Sequence, residues 1–310
     1  MTSVPAEGVT AGTTSGRRGR RLGHVGHLPT HVVVALLMFV WLIPTIGLFI
    51  NSFRPSQAVQ SSGWWDIIFQ PSQVTLQNYQ YVLGQSGLWP GFINSLFITI
   101  PATIIPIFVA AFAAYAFAWM NFPGRNVLFV AIVGLLVVPL QTTFIPILQL
   151  YGSVHIDLGP IQINNLNGQF LALWLAHTGY GLPFAVYLLR NFMGGLPREV
   201  FESASIDGAS PVTAFFRLAL PMSVPALAAL AIFQFLFVWN DLLVALIYLG
   251  AANPQNDPLT IVVANLVNSL GSGWWYLAAA AFISMALPLA VFFTLQRYFV
   301  RGIVGGSVKG

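Results

Sequence analysis

Residues 32–50 read Val-Val-Val-Ala-Leu-Leu-Met-Phe-Val-Trp-Leu-Ile-Pro-Thr-Ile-Gly-Leu-Phe-Ile, nineteen residues without a charge. A hydrocarbon core about 30 Å thick is crossed by about 20 residues of helix, so this run predicts a membrane span. A secretory signal is the competing reading, but its apolar region is only about 7–15 residues long, and no A-x-A cleavage pattern follows here. Working outward, five more stretches reach the same length, near 91–119, 127–149, 169–190, 222–249 and 274–296. The expected fold is therefore all-α, a polytopic membrane protein with six transmembrane helices in one domain over 29–310. Residues 1–28 differ from the rest. They are rich in Gly, Ser and Thr, carry Arg17, Arg18, Arg20 and Arg21, and hold too little apolar surface to fold. They are expected to form a disordered basic cytosolic tail.

Composition supports the same class. Charged residues make up 6% of the 310, against roughly 25% in soluble domains, and hydrophobic residues make up 57%. So few charges cannot clothe a water-facing globule of this size. Cysteine is absent, which excludes disulfides and thiolate metal sites. The net charge of +4 is weak support for nucleic acid, and no nucleic-acid partner is expected. The basic residues read better as topology signals. With the N-terminus inside, all twelve Lys and Arg except Arg54 fall on cytosolic segments, so both termini are expected in the cytosol.

Two outer segments are long enough for structure of their own. Residues 52–90 hold Trp64, Trp65 and Trp89, which favour the membrane interface. Residues 250–273 carry Asn253-Pro254, Asp257-Pro258 and Gly271-Ser272-Gly273, turn signals around a short helix. Pro44, Pro101, Pro106, Pro139, Pro146, Pro183, Pro225 and Pro288 lie inside spans and predict kinks.

The loop between the fourth and fifth spans is the most informative. It runs from Gly195-Leu196-Pro197-Arg198-Glu199-Val200-Phe201-Glu202-Ser203-Ala204-Ser205-Ile206-Asp207-Gly208 to Ala209-Ser210-Pro211. Pro197 suits a helix start, with acids just after it where the helix dipole favours them. Gly208 suits a left-handed helix end, and Ser210-Pro211 suits the start of a second helix. Charge runs are usually solvated connectors. Yet Phe201, Ile206, Phe215 and Phe216 are apolar groups that ask for a partner or for burial against the bundle.

This loop resembles the EAA signature of permease subunits of binding-protein-dependent ABC importers: Glu-Ala-Ala, three residues, Gly, then about nine residues to Ile-x-Leu-Pro. Here Glu202-Ser203-Ala204, Gly208 and Leu218-Ala219-Leu220-Pro221 fill the pattern, with Ser at the second position and Leu for the Ile. Trp239-Asn240-Asp241, Phe122-Pro123-Gly124-Arg125 and the ending Gln296-Arg297-Tyr298 to Gly310 are similar to the shorter second permease of maltose-type sugar importers, with an α-glucoside flavour. The resemblance covers about residues 30–310. It implies the type I importer permease fold and a multi-pass place in the bacterial plasma (inner) membrane. It also implies that Glu199, Phe201, Glu202, Ser203, Ala204, Ile206, Asp207 and Gly208 couple to a separate ATPase as the coupling helix, and that Gly306, Ser307, Val308 and Lys309 reach the ATPase interface. The implied partners are a second homologous permease, a cytosolic ABC ATPase dimer, an extracytoplasmic sugar-binding protein and membrane lipid. The implied cargo is a sugar, an oligosaccharide or α-glucoside.

Lys309 is the only lysine and no P-loop precedes it, so ATP and Mg are expected on the partner, with no cofactor held by this chain and no catalysis of its own. Asp241 is an acid within a span and so a site candidate. Placed about 30 Å along its helix from Pro221, it reads as interfacial and held by Asn240 and Trp239, with binding-protein docking and sugar contact as alternatives. His177 sits beside Thr178-Gly179-Tyr180-Gly181, where Gly and Pro183 imply a bent or broken helix. It reads as a satisfied buried histidine, with substrate contact as the alternative. His24, His27 and His31 have helical spacing but no further ligands, so no metal site is expected. The competing function is an ion-gradient-driven secondary transporter. Against it, the interior holds almost no acids and the halves show no repeat. An intramembrane enzyme lacks any nucleophile–base set.

Overall fold

The computed structural model describes residues 28–307 apart from 86, 158–161, 251–253 and 268–272. The expected tail at 1–28 lies, except for Leu28, outside the described residues. Among the described residues the regular structure is helical except for an antiparallel pair of two-residue strands, β1 (Ile156–Asp157) and β2 (Gln162–Ile163).

Four helices are long and apolar enough to cross a membrane alone: α1 (Leu28–Ser52), α4 (Leu88–Trp119), α7 (Phe170–Gly194) and the apolar part of α14 (Trp274–Ser307). Two bent pairs bring the number to as many as six. The first pair occupies the expected span 127–149. It holds α5 (Arg125–Gly134), a tight turn to Val137, a second tight turn from Leu140 and α6 (Phe144–Ser153), and it bends by 98°. The second comprises α9 (Pro211–Ala214), a π-helical turn Phe215–Ala219, α10 (Leu220–Met222) and α11 (Val224–Trp239), and it bends by 71° at Ser223. Beyond α11 lie α12 (Leu243–Tyr248) and α13 (Leu259–Ala264).

Three expectations need correction. The stretch 222–249 is not one helix, because Asp241 ends the first part and caps the next. Its two carboxylate oxygens accept from the amides of Val244 (3.3 Å) and Ala245 (3.2 Å), which starts α12 afresh. The helix around His177 is not broken, since α7 is continuous through Gly179, Gly181 and Pro183. Gly181 serves close packing instead, as a Cβ there would sit 2.5 Å from the Gln234 amide. Pro44, Pro101, Pro106 and Pro288 likewise interrupt none of their helices, because neighbours can satisfy carbonyls that proline frees. The expected kink is a true break at Pro139, where Val138 and Pro139 are extended.

Core packing divides along α4, which at about 1.5 Å per residue is about 48 Å long. At one end Ala110, Ala114 and Phe117 pack with Leu189 and Met193 of α7 and with Phe215 and Leu230. Toward the other end, Ile98 and Ala102 join Leu173, Val244 and Tyr248. Small residues let α4 and α7 approach closely, as membrane helices need in the absence of a hydrophobic drive between them.

Beyond α1 the chain folds back as α2 (Ser56–Ser61), two short tight turns and α3 (Gln77–Gln85). Arg54 organises it. This cation is fully buried and makes no carboxylate contact among those found. Its guanidinium donates to Gln73 Oε1 (3.1 and 3.2 Å), Asn51 Oδ1 (3.1 Å), the Ala58 carbonyl (3.2 Å), and Ser62 Oγ and carbonyl (2.5 and 3.4 Å). A planar five-donor fork matches that ring of acceptors. Asn78 closes the turn by donating to the carbonyls of Ser52 and Arg54.

Arg54→Ala strands several buried acceptors at once and is expected to cost about 3 kcal/mol or more. Arg54→Lys recovers only part, because an ammonium cannot span the ring of acceptors. Thermal unfolding of the purified protein measures both, and an unchanged midpoint for the alanine variant contradicts this account.

Candidate coupling site

The segment after α7 folds as its residues require. Pro197 precedes α8 (Arg198–Ile206), and Glu199 occupies its first turn, where a negative charge meets the positive helix end. Asp207 follows as the C-cap, and Gly208 adopts φ +81°. The amide of Ala209 donates to the Ala204 carbonyl (2.9 Å) and that of Gly208 to the Ser205 carbonyl (3.1 Å). This is the Schellman arrangement, which needs a left-handed residue at the position of Gly208. Ser210 then caps the next helix, its Oγ accepting from the Thr213 amide (3.2 Å), with Pro211 in the first turn. Two helices thus meet through a four-residue corner, Asp207 to Ser210, in which every described bond is local.

The apolar side chains of this segment split into two sets. Phe201 is buried and stacks on the Trp119 indole, centroids 3.9 Å apart and planes 22° apart. Trp119 Nε1 donates in turn to the Met193 carbonyl at the end of α7 (3.0 Å). Phe215 is buried against Phe112 (4.6 Å) and Tyr115 (5.2 Å) of α4. Ile206, by contrast, is 86% exposed, and Val200, Glu199, Glu202, Ser203, Asp207 and Gly208 also face outward. Ala204 is half-buried. The sequence reading grouped Phe201 with the partner-facing residues. The structure turns it into the bundle, because its ring finds an indole at the end of α4. Trp119 had drawn no notice in the sequence, where a terminal Trp reads as an interface anchor.

At the far C-terminus α14 includes Gly306 and Ser307 in its backbone, and Val308 and Lys309 lie outside the described residues. The two weak substrate candidates do come together. His177 Nε2 is 3.8 Å from Asp241 Oδ2, with His177 almost wholly buried. Asp241 is held by α12 amides, with Thr260 Oγ1 donating to its carbonyl (2.8 Å), rather than by Asn240 and Trp239. The cavity they line with Ser95 and Thr99 is about 10 Å³, room for one water at most and far too small for a sugar ring. In this conformation the pair binds helices together. His177 is only partly satisfied, since its Nδ1 has no partner among the described residues.

A hydroxyl chain that the sequence did not single out links the turn after Pro139 to α7 and α12. Thr143 Oγ1 meets Tyr180 OH (2.9 Å), which meets Tyr248 OH (2.8 Å). At the end of the bundle remote from α8, a cavity of about 600 Å³ opens beside Tyr81, Asn94, Gln255 and Asp257. Asn94 Nδ2 pins its rim by donating to the carbonyls of Gln255 (2.7 Å) and Asp257 (3.1 Å). Among the described residues no cluster of side chains is arranged to hold a metal ion.

Residues 106–305 match the family described as "Binding-protein-dependent transport system inner membrane component". The chain is 53% identical over 285 residues to the osmoprotective compounds uptake permease protein GgtD of Synechocystis sp., covering 91% of this chain and 92% of that protein. It is 55% identical over 240 residues to the alpha-glucoside transport system permease protein AglG of Rhizobium meliloti, covering 77% of this chain and 62% of that one. A chain from the crystal structure of a bacterial ABC transporter that imports the acidic polysaccharide alginate shares the fold. It has a TM-score of 0.70 and 19% identity, over 93% of this chain and 100% of that chain.

Phe201→Ala empties the stack on Trp119 and is expected to cost about 3 kcal/mol of local stability. Limited proteolysis within 198–210 should then accelerate roughly 100-fold, the equivalent of that energy. Ile206→Ala, at an exposed position, should leave the cleavage rate unchanged. Equal rates for the two variants would show that the stack does not anchor the loop.

Proposed function

We propose a role that proceeds from one premise: this chain belongs to the family of binding-protein-dependent transport system inner membrane components. It is the permease subunit of a carbohydrate ABC importer and a multi-pass protein of the inner membrane. Members of this family are non-catalytic transport subunits, and membership sets the ion-gradient alternative aside. The finer reading concerns how energy enters, what is carried and how the chain is oriented.

The corner built on Gly208 carries the proposal. Its outward face offers Ile206 and Val200 as apolar contacts within a rim of Glu199, Glu202 and Asp207. A knob of that kind fits a groove on a separate ATPase dimer. Its inward face is anchored by Phe201 on Trp119 and by Phe215 on Phe112 and Tyr115. Closure of the ATPases on ATP and Mg pushes the knob, and the aromatic anchors pass the push to the ends of α4 and α7. Packed helices move as rigid bodies, so a small push becomes a rotation of the bundle.

In this reading each bent pair is one span, giving six, with both termini in the cytosol as the Lys and Arg distribution favours. The 198–222 end then faces the cytosol with the ATPases, and Gly306, Ser307, Val308 and Lys309 are further contacts proposed for them. The cavity beside Asn94 and Asp257 lies on the outer face, where a sugar-loaded binding protein would dock. A homologous second permease completes the channel. Much of the surface of α1, of α5 and of the turn after it, including Trp41, Val127 and Val137, is uncovered apolar side chain, suited to lipid and to that subunit. The cargo is a small neutral sugar of the α-glucoside class, as the name of the 55% identical relative supports.

Gly208→Val tests the coupling. Nothing lies within 4 Å of a Cβ built at Gly208, so the substitution meets no clash and its cost is that of the left-handed backbone, about 1–2 kcal/mol. The corner should reorganise. Uptake of radiolabelled maltose, trehalose and sucrose by cells carrying the whole transporter should then collapse while the chain inserts at normal abundance. Gly208→Asn, which tolerates this backbone, should retain much of the uptake. Normal uptake by the valine variant at normal abundance would refute the coupling role. Uptake of none of the three sugars by the unaltered transporter would refute the assigned cargo class.

A further inference from the structure

Three of the prolines that sit inside unbroken helices share a feature that no sequence pattern announces. In an α-helix the amide of residue i donates to the carbonyl of residue i−4, and proline has no amide proton to give. Pro101, Pro106 and Pro288 therefore free the carbonyls of Phe97, Ala102 and Ser284. Each of these carbonyls accepts a side-chain N–H from a different helix. Trp174 Nε1 of α7 donates to Phe97 (3.0 Å) and Gln234 Nε2 of α11 to Ala102 (3.2 Å). Trp239 Nε1, at the end of α11, donates to Ser284 of α14 (3.3 Å).

We infer that Trp174, Gln234 and Trp239 are positioning residues of the transport cycle. By occupying proline-freed carbonyls they tie α4, α7, α11 and α14 into one rigid body that carries motion from the 198–222 end to the far end. The prolines thus create acceptor sites one turn before them, at Phe97, Ala102 and Ser284. Gln234 and Trp239 are buried, and water is scarce in such a region, so a freed carbonyl without a donor is costly. Gln234 also donates to the His177 carbonyl (3.3 Å) opposite Gly181, whose missing side chain admits the amide. The breaks in the bent pairs contrast with this. There the bonds are local, from the Val138 amide to the Leu135 carbonyl and from the Ser223 amide to the carbonyls of Ala219 and Leu220. At the bends the backbone bonds are local, whereas the proline-freed carbonyls are bonded across helices.

The stability part of this inference stands apart from the transport reading, and only its coupling part rests on it. The test is a set of double-mutant cycles, W174F with P101A, Q234L with P106A and W239F with P288A. Each uses the chain assembled with its partner permease and ATPase in nanodiscs, with and without the binding protein. Alanine restores the helical amide, so it satisfies the carbonyl but competes with the tether. Each donor variant alone should lower the melting temperature by about 2–4 °C, and the paired alanine should restore it. ATP hydrolysis without binding protein should rise severalfold in the donor variant and stay raised in the double variant, because the carbonyl is satisfied but the helices remain untied. Melting shifts that are the same with and without the proline would overturn the bonding scheme. Hydrolysis that never rises, or that returns to normal along with stability, would reduce the three residues to a packing role. Abundance of assembled complex in the membrane is scored for every variant, so one too unstable to purify still takes its place in the cycle. If the unaltered complex shows no stimulation by its binding protein, the transport reading fails while the melting cycles still decide the bonding.

Discussion

Within a hydrocarbon slab every backbone N–H and C=O must find its partner inside the protein. That constraint governs where this chain is continuous and where it is broken. Unbroken helices meet it residue by residue, and α4 does so over 32 residues despite two prolines. Where the chain leaves helical geometry, something takes over the stranded groups. The Asp241 carboxylate receives the first amides of α12, and the Tyr248 carbonyl accepts from the Gly168 amide (2.7 Å). At these two places the stranded groups find partners within the protein, as the hydrocarbon slab requires.

Bonding of this kind gives the bundle stiff parts and pliant parts. The stiff part is centred on α4 and α7, whose interface is lined by Ala102, Ala110, Ala114, Ala176 and Ala185, all buried. Close helix approach through small residues leaves little room for sliding. The pliant parts are the bends near Pro139 and at Ser223, of 98° and 71°. Ser223 is fully buried, and its hydroxyl has no partner among the described residues, consistent with a joint whose contacts are incomplete in this conformation. The corner at Gly208 is attached to the stiff part by aromatic stacking, at Trp119 and at Phe112 with Tyr115. Its outward acids and Ile206 stay exposed.

The helical class and the approximate span positions were legible because they rest on local quantities: runs of about 20 apolar residues and the placement of charge between them. The corner was legible for the same reason. Gly208, Ser210 and Pro211 each have a conformational preference that acts within a turn, and the structure adopts all three. Asp241 was legible as an unusual acid, but not as a helix cap. Capping competes with helix continuation, and the packing of α11 and α12 on their neighbours decides between them. Gly181 with Pro183 reads as a helix break on local propensity. Tertiary packing overrode it, because a glycine also makes room for a neighbour such as Gln234.

What the sequence by itself determined is the class of molecule and the corner between α8 and α9, since both follow from transfer energies and turn preferences that need no partner. Only the tertiary structure decided which faces of that loop point where. It buried Phe201 and Phe215 and left Ile206 exposed, although all three are apolar residues in one short segment. It likewise decided that the carbonyls freed by Pro101, Pro106 and Pro288 are taken by Trp174, Gln234 and Trp239. The reason is distance along the chain. Those donors lie between 45 and 132 residues from their acceptors, or 77 for the Trp174 bond, and no periodicity or spacing rule relates residues so far apart.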